Sequence, residues 1–490
     1  MKNDSTEGRC ATGVSGLDDV LAGGLPANRL YLLQGRPGVG KTTLALQFLL
    51  EGARRGEAGL YITLSETKEE LAAVAESHGW NLSEFNMLEL SAIDEALAEN
   101  KENTFFHPSE LELNKTTQIL LTEVERINPR RVVLDSLSEF RLLAESALRY
   151  RRQMLRLKQY FAGRNTTVLL LDDQTGEASD LHIQSISHGV LTLERLSISY
   201  GIERRQLHVQ KLRGVKFREG AHDYRIERGG IRIFPRLVAS EHKKDFLDRP
   251  VSSGIAGFDK LMGGGLDRGT SNLFIGPAGG GKSTIALQHA VAQAGKGEKS
   301  MIFIFDENQK TLEKRAASVG LELTKHLEAG TIVIQQVDPV ELSPGEFVGV
   351  VRRAVEKNGA SLIIIDSLNG YLNSMPDERF LNLQLHELLT YLSQQGVVSI
   401  MTLAQHGLVG TMQAPVDITY LADTVVLLRY FEANGKLNKA ISVVKKRSGV
   451  HETAIRELKI ERGSVQVGEP LERFHGVMSG IPQITGNHLK

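Results

Sequence analysis

The sequence contains almost no cysteine, which excludes several kinds of protein. Cys10 is the single cysteine among 490 residues. One thiol cannot form an intrachain disulfide, and a cysteine-rich zinc module would need three or four ligands. A lone free thiol fits a reducing compartment. Because Cys10 lies in a polar N-terminal segment that we expect to fray, we predict no role for it.

Long apolar runs and an excess of one charge are missing as well. No run of about 18 apolar residues occurs, which argues against a transmembrane helix. Residues 1–10 lack the apolar region of a signal peptide, so we expect a cytoplasmic protein. The 58 basic and 59 acidic residues nearly cancel. Charge therefore gives no reason to expect nucleic acid or an anionic membrane as a partner.

What the sequence does contain is an internal repeat. The segment Thr12-Gly-Val-Ser-Gly-Leu-Asp returns as Ser253-Gly-Ile-Ala-Gly-Phe-Asp, and a glycine loop that begins at Gly35 returns at Gly276. Both pairs are separated by the same number of residues, which indicates a duplicated domain rather than a solenoid unit. The charged stretch before Pro250 has the composition of a linker. We predict domains at 1–240 and 241–490.

Each half alternates short apolar runs with helical patterns. Continuous runs rich in leucine and β-branched residues are typical of parallel strands that are buried on both faces. We therefore predict an α/β fold in which each domain is a mostly parallel sheet flanked by helices. The predicted strands are 30–34, 59–64, 131–135 and 168–172 in the first half, and 272–275, 301–305, 362–366 and 397–401 in the second.

The two glycine loops carry the first chemistry. Both have the GxxxxGK[ST] pattern, which cradles phosphates with backbone N–H groups and the positive end of the following helix. Each loop follows a predicted strand and opens a predicted helix, so we predict that both bind ATP with Mg²⁺; a decayed loop in one half is the alternative. The nucleotide-binding positions are Gly35, Gly38, Gly40, Lys41, Thr42 and Thr43, and then Gly276, Gly279, Gly280, Gly281, Lys282, Ser283 and Thr284.

Aspartates at the ends of two apolar strands are the predicted magnesium ligands. Asp135 follows Arg-Val-Val-Leu, Asp366 follows Leu-Ile-Ile-Ile, and both continue as Asp-Ser-Leu. The hydroxyls of Thr42 and Ser283 are the other predicted ligands, since the last residue of the loop pattern contacts Mg²⁺. The alternative is that each aspartate only caps a turn.

ATP hydrolysis also needs a group that orients or deprotonates water. Acidic residues follow the second predicted strand in each half, and we predict Glu66, Asp306 and Glu307 as catalytic residues. The alternative is a helix cap, because Ser65 or Thr67 followed by Lys-Glu-Glu is also a plausible helix start.

Together these motifs resemble the KaiC family, the RecA-like circadian clock ATPases of bacteria. The resemblance runs from about residue 12 to about residue 485. It includes Lys211-Leu-Arg-Gly214, Lys445-Lys-Arg447 and the ending Glu472-Arg-Phe-His-Gly-Val-Met-Ser-Gly480. It implies two tandem RecA-like P-loop NTPase domains that bind and hydrolyse ATP. It also implies a homohexamer in two tiers, with ATP between neighbouring subunits.

The same resemblance gives a role to two Lys-x-Arg motifs. Lys211 and Arg213, and likewise Lys445 and Arg447, are implied to reach the nucleotide held by the neighbouring chain. Extra cations beside the γ-phosphate stabilise charge during phosphoryl transfer. From spacing alone, Lys-x-Arg on a strand is more typical of a solvated face.

Autophosphorylation of the second half is a further implication of the resemblance. The family's Ser-Thr pair matches Thr419 and Tyr420, so Thr419 is the predicted phosphoacceptor. Tyr420 is longer than a threonine and differs in acidity, so a two-site cycle is not predicted. Asp306 and Glu307 match the acidic pair that serves as the base. The alternative for Thr419 is an ordinary threonine at a strand edge.

The predicted overall function is a nucleotide-driven timing or signalling switch with Ser/Thr autokinase activity. A KaiB-like protein is a candidate partner of the N-terminal half. Little of the family's tail that binds KaiA follows Pro482, so KaiA is not an expected partner. One alternative is a RecA- or helicase-type DNA-dependent ATPase, against which the neutral charge and the lack of a basic, aromatic-interleaved stretch argue. The other is a scaffold that binds ATP mainly to assemble.

Overall fold

In a computed structural model, the chain divides into two compact units, Met1–Arg236 and Leu237–Lys490. The structure describes residues 8–90, 108–174, 180–197, 201–338, 340–373, 381–405, 419–433, 435–477 and 483–484. Across these residues, no helix combines the length and the apolar character needed to span a membrane.

The first unit is built around a nine-stranded sheet. A separate two-stranded ladder precedes it, formed by β1 Arg9–Cys10 and β2 Leu25–Pro26. The nine strands of the sheet are β3 Leu30–Gly35, β4 Gly59–Thr63, β5 Asn86–Glu89, β6 Arg131–Asp135, β7 Thr167–Asp173, β8 Gly189–Leu196, β9 Arg204–Leu212, β10 Ala221–Glu227 and β11 Gly230–Phe234. The order is β11-β10-β9-β8-β3-β7-β6-β4-β5. The strands from β8 to β5 in this order pair in parallel, and β9 to β11 extend the sheet antiparallel.

Helices cover both faces of this sheet. They are α1 Leu17–Val20, α2 Lys41–Arg54, α3 Lys68–His78, α4 Pro108–Ile127, α5 Leu137–Ala144, α6 Ala147–Phe161 and α7 Asp180–Ile186. Every residue of β3, β4 and β6 is buried, as expected for parallel strands between two helical layers. Alternate residues of these strands belong to two separate apolar clusters, one on each face of the sheet.

The second unit repeats this plan. Its sheet has the order β14-β13-β15-β16-β12-β17-β18-β19-β20. The strands are β12 Ser271–Gly276, β13 Lys299–Ile304, β14 Ile332–Gln336, β15 Ala360–Asp366, β16 Val398–Ala404, β17 Thr424–Ala433, β18 Lys436–Lys446, β19 Arg456–Glu461 and β20 Ser464–Pro470, followed by a ladder of β21 Phe474–His475 and β22 Gln483–Ile484. The helices are α8 Ala256–Leu261, α9 Lys282–Ala294, α10 Gln309–Ser318, α11 Leu323–Glu328, α12 Pro344–Glu356, α13 Leu368–Asn373 and α14 Leu381–Gln394.

The α/β fold with two tandem domains is confirmed, and each predicted apolar run forms a strand. The antiparallel strands β9 to β11 and β18 to β20 were not predicted, because their alternating patterns are half polar. The expectation that the segment around Cys10 frays was wrong. The Cys10 side chain is buried in β1, which pairs with β2.

Candidate functional site

The two glycine loops lie at the carboxyl ends of β3 and β12, and each opens a long helix. Gly40 and Gly281 come immediately before these helices with φ angles of 97° and 108°, a region that side chains other than glycine rarely adopt. A Cβ atom at Gly40 would lie 2.7 Å from Ile226 Cδ1, and one at Gly281 would lie 2.5 Å from Ile460 Cδ1. The sequence therefore needs glycine here for the loop to curl over the helix N-terminus.

The loop lysines are held by the loops themselves. Lys41 Nζ donates to the carbonyl oxygens of Gly35 at 2.7 Å and Arg36 at 3.3 Å. Lys282 Nζ donates to those of Gly276 at 2.9 Å and Pro277 at 2.7 Å. Both side chains are buried. Each ammonium group is therefore positioned in its own loop, with the N-terminal amides of α2 or α9 close by, as a phosphate cradle requires.

The predicted magnesium ligands meet in both domains. Thr42 Oγ1 donates to Asp135 Oδ2 at 3.4 Å, and Ser283 Oγ donates to Asp366 Oδ1 at 2.9 Å. A hydroxyl and a carboxylate at the carboxyl end of a sheet are the oxygen donors that Mg²⁺ takes beside phosphates. The donor set therefore fits Mg²⁺, which Thr42 and Asp135 would hold in the first domain and Ser283 and Asp366 in the second.

The two aspartates have different partners. Asp135 accepts a hydrogen bond from Tyr61, and Asp366 accepts one from Thr402 Oγ1 at 2.5 Å. Burial raises the pKa of Asp135, and the hydrogen bond from Tyr61 opposes this rise. A bound cation would favour the carboxylate form in the same way.

The predicted catalytic carboxylates lie next to these aspartates, but their hydrogen-bond and ion-pair partners differ between the two domains. Glu66 Oε2 is buried and has no hydrogen-bond partner among the described residues. Burial, followed by the charge of Asp135, raises the pKa of Glu66 to about 7. The helix cap, which was the alternative role for this segment, is made by Thr67 and Glu70 and does not involve Glu66.

In the second domain, the equivalent glutamate is paired with a cation. Glu307 Oε1 lies 2.6 Å from Arg315, whose guanidinium is also 4.0 Å from Asp366 Oδ2. Burial raises the pKa of Glu307, and the charge of Arg315 lowers it. Asp306 accepts a hydrogen bond from Ser367, the residue after Asp366. A hydrogen bond therefore links the acidic pair directly to the residue that follows Asp366.

Comparison with known proteins shows what these two sites belong to. A family model described as "ATPase: KaiC" matches residues 10–238 and again residues 251–472. This chain belongs to the KaiC ATPase family. It is 25% identical to the circadian clock oscillator protein KaiC of Picosynechococcus sp., over 96% of this chain and 91% of that protein.

Other relatives align over nearly their whole lengths. The circadian clock protein KaiC3 of Synechocystis sp. is 25% identical over 99% of this chain and 97% of its own length. The KaiC of Synechococcus elongatus is 25% identical over 96% and 91%. The resemblance read from the sequence is therefore confirmed at the level of the family.

In this KaiC-family chain, the two Lys-x-Arg motifs lie away from the loop of their own domain. Leu212, between Lys211 and Arg213, pairs with Gly189 at the start of β8, and Gly189 lies beside Tyr31 at the start of β3. Lys445 pairs with Val425 at the start of β17, next to the start of β12. The glycine loops follow the opposite ends of β3 and β12.

The cations near the first motif bind the end of a short helix. Arg213 donates to the carbonyl oxygen of Ser185 at 2.8 Å, and Lys211 donates to that of Gln184. Lys158 donates to the next one, that of Ile186, at 2.8 Å. Three basic side chains therefore satisfy three successive carbonyl groups at the carboxyl end of α7, where cations are favoured.

The second motif contacts the segment that contains the predicted phosphoacceptor. Lys445 Nζ donates to the carbonyl oxygens of Thr419 at 2.9 Å and Ala422 at 2.7 Å, and Arg447 donates to that of Tyr420 at 3.0 Å. Thr419 is half-buried and Tyr420 is exposed. Residues 417–418 of the predicted phosphorylation stretch lie outside the described residues.

Asp173 Oδ1 lies 2.8 Å from Lys41 Nζ. Four residues of the sites were not predicted from the sequence: Tyr61, Asp173, Arg315 and Thr402. Tyr61 and Thr402 look like ordinary strand residues, and Arg315 looks like a solvated helix residue. Asp173 follows Asp172 at the end of an apolar run. That signal, a carboxylate at the end of a buried strand, is the same one that identified Asp135.

Proposed function

We propose that this KaiC-family protein binds MgATP at both glycine loops, hydrolyses it, and phosphorylates itself on Thr419. One observation supports the enzymatic part most directly. In each domain, a loop lysine, a hydroxyl–aspartate pair and a partly buried glutamate converge at the carboxyl edge of a parallel sheet. These are the parts that P-loop phosphoryl transfer needs for phosphate, Mg²⁺ and water.

The roles of the residues follow from this geometry. The loop amides and Lys41 or Lys282 would hold the β- and γ-phosphates, and Mg²⁺, when bound, would neutralise charge on them. Glu66 would take a proton from water in the first domain, because its pKa of about 7 suits a general base at neutral pH. Asp306 and Glu307 would do so in the second, for water or for the Thr419 hydroxyl.

The position of the Lys-x-Arg motifs supports an assembly with the active sites between chains. From Tyr31 to the loop glycine Gly35, the strand advances about 13 Å, further than a lysine side chain can span. Lys211 and Arg213 therefore cannot reach the phosphates of their own domain. We propose that they contact ATP held by the adjacent chain of a homohexamer, and that Lys445 and Arg447 do the same in the second tier.

The resulting protein would act as a nucleotide-driven timing or signalling switch. In such a switch, the phosphates change the contacts of loops and neighbouring chains, and a partner reads the altered surface. A KaiB-like protein is the proposed partner of the N-terminal domain. The names of the relatives, all circadian clock proteins, support this proposal.

The direct test is incubation of the purified chain with γ-labelled ATP and Mg²⁺, followed by mass-spectrometric mapping of labelled sites. Label on Thr419 together with release of free phosphate is expected. Free phosphate without protein label would support ATPase activity and contradict autokinase activity. If the chain retained no adenine nucleotide in a direct titration, the whole proposal would be overturned.

A complementation experiment tests the role between chains. In a Lys282→Ala background, Lys41→Ala and Lys211→Ala chains should each show little ATP turnover. Co-expressed in one assembly, they should recover turnover, because some interfaces then combine an intact Lys41 with an intact Lys211. No recovery in assemblies shown to contain both chains would contradict a contribution in trans.

A further inference from the structure

A small basic pocket lies at the amino ends of β3 and β8 in the first domain. Its cavity has a volume of about 90 Å³, and it is lined by the cations Arg29, Lys158 and Arg213 together with His188. Among the described residues that line this pocket, none carries a carboxylate. Positive charge is therefore concentrated around the cavity without an acidic residue in its wall.

The fold holds these side chains in place. Lys158 and Arg213 each donate to a carbonyl oxygen at the end of α7, at 2.8 Å in both cases. Arg29 donates to the carbonyl oxygen of the preceding residue at 3.0 Å, and the ring of His188 packs edge-to-face against Tyr31. Each cation uses one nitrogen in these contacts, whereas a guanidinium carries five N–H groups and an ammonium three. The pocket therefore has further N–H groups to offer an anion.

The basic groups of this region act on one another. Burial lowers the pKa of His188, and the charge of Arg29 lowers it further. Burial also lowers the pKa of the nearby Lys211, and the charges of Arg213 and Lys158 add to that shift. Both shifts mean that an additional positive charge is unfavourable here. A negative charge at the same place is favourable for the same reason.

In the second domain, an aspartate stands where the pocket has His188. The backbone N–H of Arg213 donates to the carbonyl oxygen of His188 at 3.1 Å, and the backbone N–H of Arg447 donates to that of Asp423 at 3.0 Å. Asp423 therefore takes the place of His188. Its carboxylate lies 3.4 Å from Arg447, so the cation that corresponds to Arg213 already has a counter-ion.

A second position of the pocket also differs between the domains. The carbonyl oxygen of Arg29 accepts a hydrogen bond from the backbone N–H of Val168 at 2.9 Å, and that of Thr270 accepts one from Ser399 at 3.1 Å. Thr270 therefore takes the place of Arg29. The two differences give the first domain one more cation and one fewer acid in this region than the second domain has.

We propose that this pocket of the first domain binds inorganic phosphate. A guanidinium pairs with two oxygens of a phosphate at once, and an ammonium adds a point charge beside them. The cavity is far smaller than the pockets of about 300 Å³ or more that hold drug-sized ligands. A single oxyanion therefore fits it better than a nucleotide does.

Arg213 connects the pocket with ATP turnover. It lines the pocket, and under the proposed function it contacts the ATP of the adjacent chain. Phosphate in the pocket occupies Arg213 and competes with that contact, so we expect inorganic phosphate to inhibit ATP turnover by the first domain. This consequence rests on the proposed function, whereas phosphate binding itself does not.

The binding test is isothermal titration of the full-length Lys41→Ala, Lys282→Ala chain with sodium phosphate, with sodium chloride of equal ionic strength as the reference. Both glycine loops are disabled in this chain, so phosphate bound to it does not occupy a nucleotide site. Lys158→Gln removes one cation of the pocket and should raise the Kd for phosphate about tenfold.

Arg156→Gln is the matched control for this substitution. Arg156 lies on the same helix, α6, is exposed, and does not line the pocket. The control therefore removes the same charge without removing a donor, and its Kd should stay within about twofold of the parent's, because salt screens exposed charges. His188→Asp copies the second domain and should also raise the Kd about tenfold, which tests the pocket even if Lys158→Gln does not fold.

The second experiment measures ATP turnover of the Lys282→Ala chain at rising concentrations of inorganic phosphate. The rate of each variant is compared with its own rate in the absence of phosphate. Lys158→Gln should raise the phosphate concentration for half-inhibition about tenfold, and Arg156→Gln should leave it close to that of the parent.

The outcomes separate the pocket from the function to which it is linked. No phosphate binding, or equal weakening by Lys158→Gln and Arg156→Gln, overturns the pocket. If free phosphate does not bind but Lys158→Gln still lowers turnover, the cations serve the terminal phosphate of the neighbouring ATP and the inference is wrong. Phosphate binding without inhibition overturns the link to turnover. A Lys282→Ala chain that hydrolyses no ATP contradicts the proposed function and leaves the binding result standing.

Discussion

The two phosphate sites share a backbone plan and differ in charge. Their loops, hydroxyl–aspartate pairs and glutamates occupy equivalent positions in the repeat, whereas the first site has Asp173 where the second has Ala404. The helix after the glutamate adds the cation Arg315 to the second site, and Val74 stands at the equivalent position of the first domain's helix. Duplication thus preserved the loop lysine, the hydroxyl and the aspartate and changed the charges around them.

The difference extends to the glutamates. Glu66 has a buried oxygen without a partner, and Glu307 is bound to a guanidinium 2.6 Å away. A carboxylate in a partly dry pocket is a stronger proton acceptor than one that is neutralised by arginine. Glu66 is therefore expected to be the stronger proton acceptor of the two glutamates.

The largest expected effect comes from removing the glutamates one at a time. Measured in the Lys282→Ala background, Glu66→Gln should lower ATP turnover about 10²- to 10⁴-fold, the usual contribution of a general base. In the Lys41→Ala background, Glu307→Gln should lower turnover less, since Arg315 already restrains that carboxylate. Nucleotide affinity should survive both changes. Unchanged ATP turnover in the Glu66→Gln chain would show that Glu66 is not the general base.

The pH dependence of the first domain should be the next largest effect. Because the base must be deprotonated to accept a proton, and because the pKa of Glu66 is about 7, kcat/KM should rise with pH up to about 7 and then level off. Below that point the rate should fall about tenfold for each pH unit. The Lys282→Ala chain is the one to measure. A profile that is flat between pH 5 and 8 would contradict this arrangement.

Removing the cation of the second site should make it more like the first. Arg315→Ala takes away the charge that lowers the pKa of Glu307, so this pKa should rise. The acidic limb of the second-domain pH profile, measured in the Lys41→Ala background, should therefore move to higher pH. Arg315→Lys keeps the charge and should leave the limb close to its original place.

The smallest expected effect concerns stability. Tyr61→Phe removes one of the two hydroxyl donors of the buried Asp135 carboxylate, leaving the longer bond from Thr42, and should destabilise the first domain by about 1–3 kcal/mol. Trp80, the single tryptophan of the chain, lies in that domain, so its fluorescence during urea unfolding reports on it. Thr402→Val, which alters the corresponding donor in the second domain, should leave the tryptophan transition unchanged.

Much of this architecture could be predicted because it depends on local sequence. The glycine loops, the apolar strands and the aspartates Asp135 and Asp366 are each recognisable within a few residues, and duplication identifies the two domains. The family was also predictable, since several such motifs occur together. These features can be predicted without knowing which strands are neighbours in the sheet.

The remaining features depend on strand order, which local sequence does not specify. Asp173 reaches Lys41 because β7 lies next to β3, although 132 residues separate the two side chains. Thr402 reaches Asp366 because β16 lies between β12 and β15. The contact between Arg315 and Glu307 depends on how helix α10 is oriented relative to Glu307. None of these contacts can be predicted from the sequence without knowing how the strands and helices pack together.

The carboxyl end of α7, bound by Lys158, Lys211 and Arg213, has a consequence for the proposed contact with the nucleotide of a neighbouring chain. Any anion that approaches this surface competes with three peptide carbonyls for the same donors. When the anion departs, the cations have partners to which they return, so the surface is never left with three bare positive charges. Under that proposal, the carbonyl oxygens of this last turn would replace the phosphate oxygens as acceptors when the nucleotide leaves, which would lower the electrostatic cost of its release.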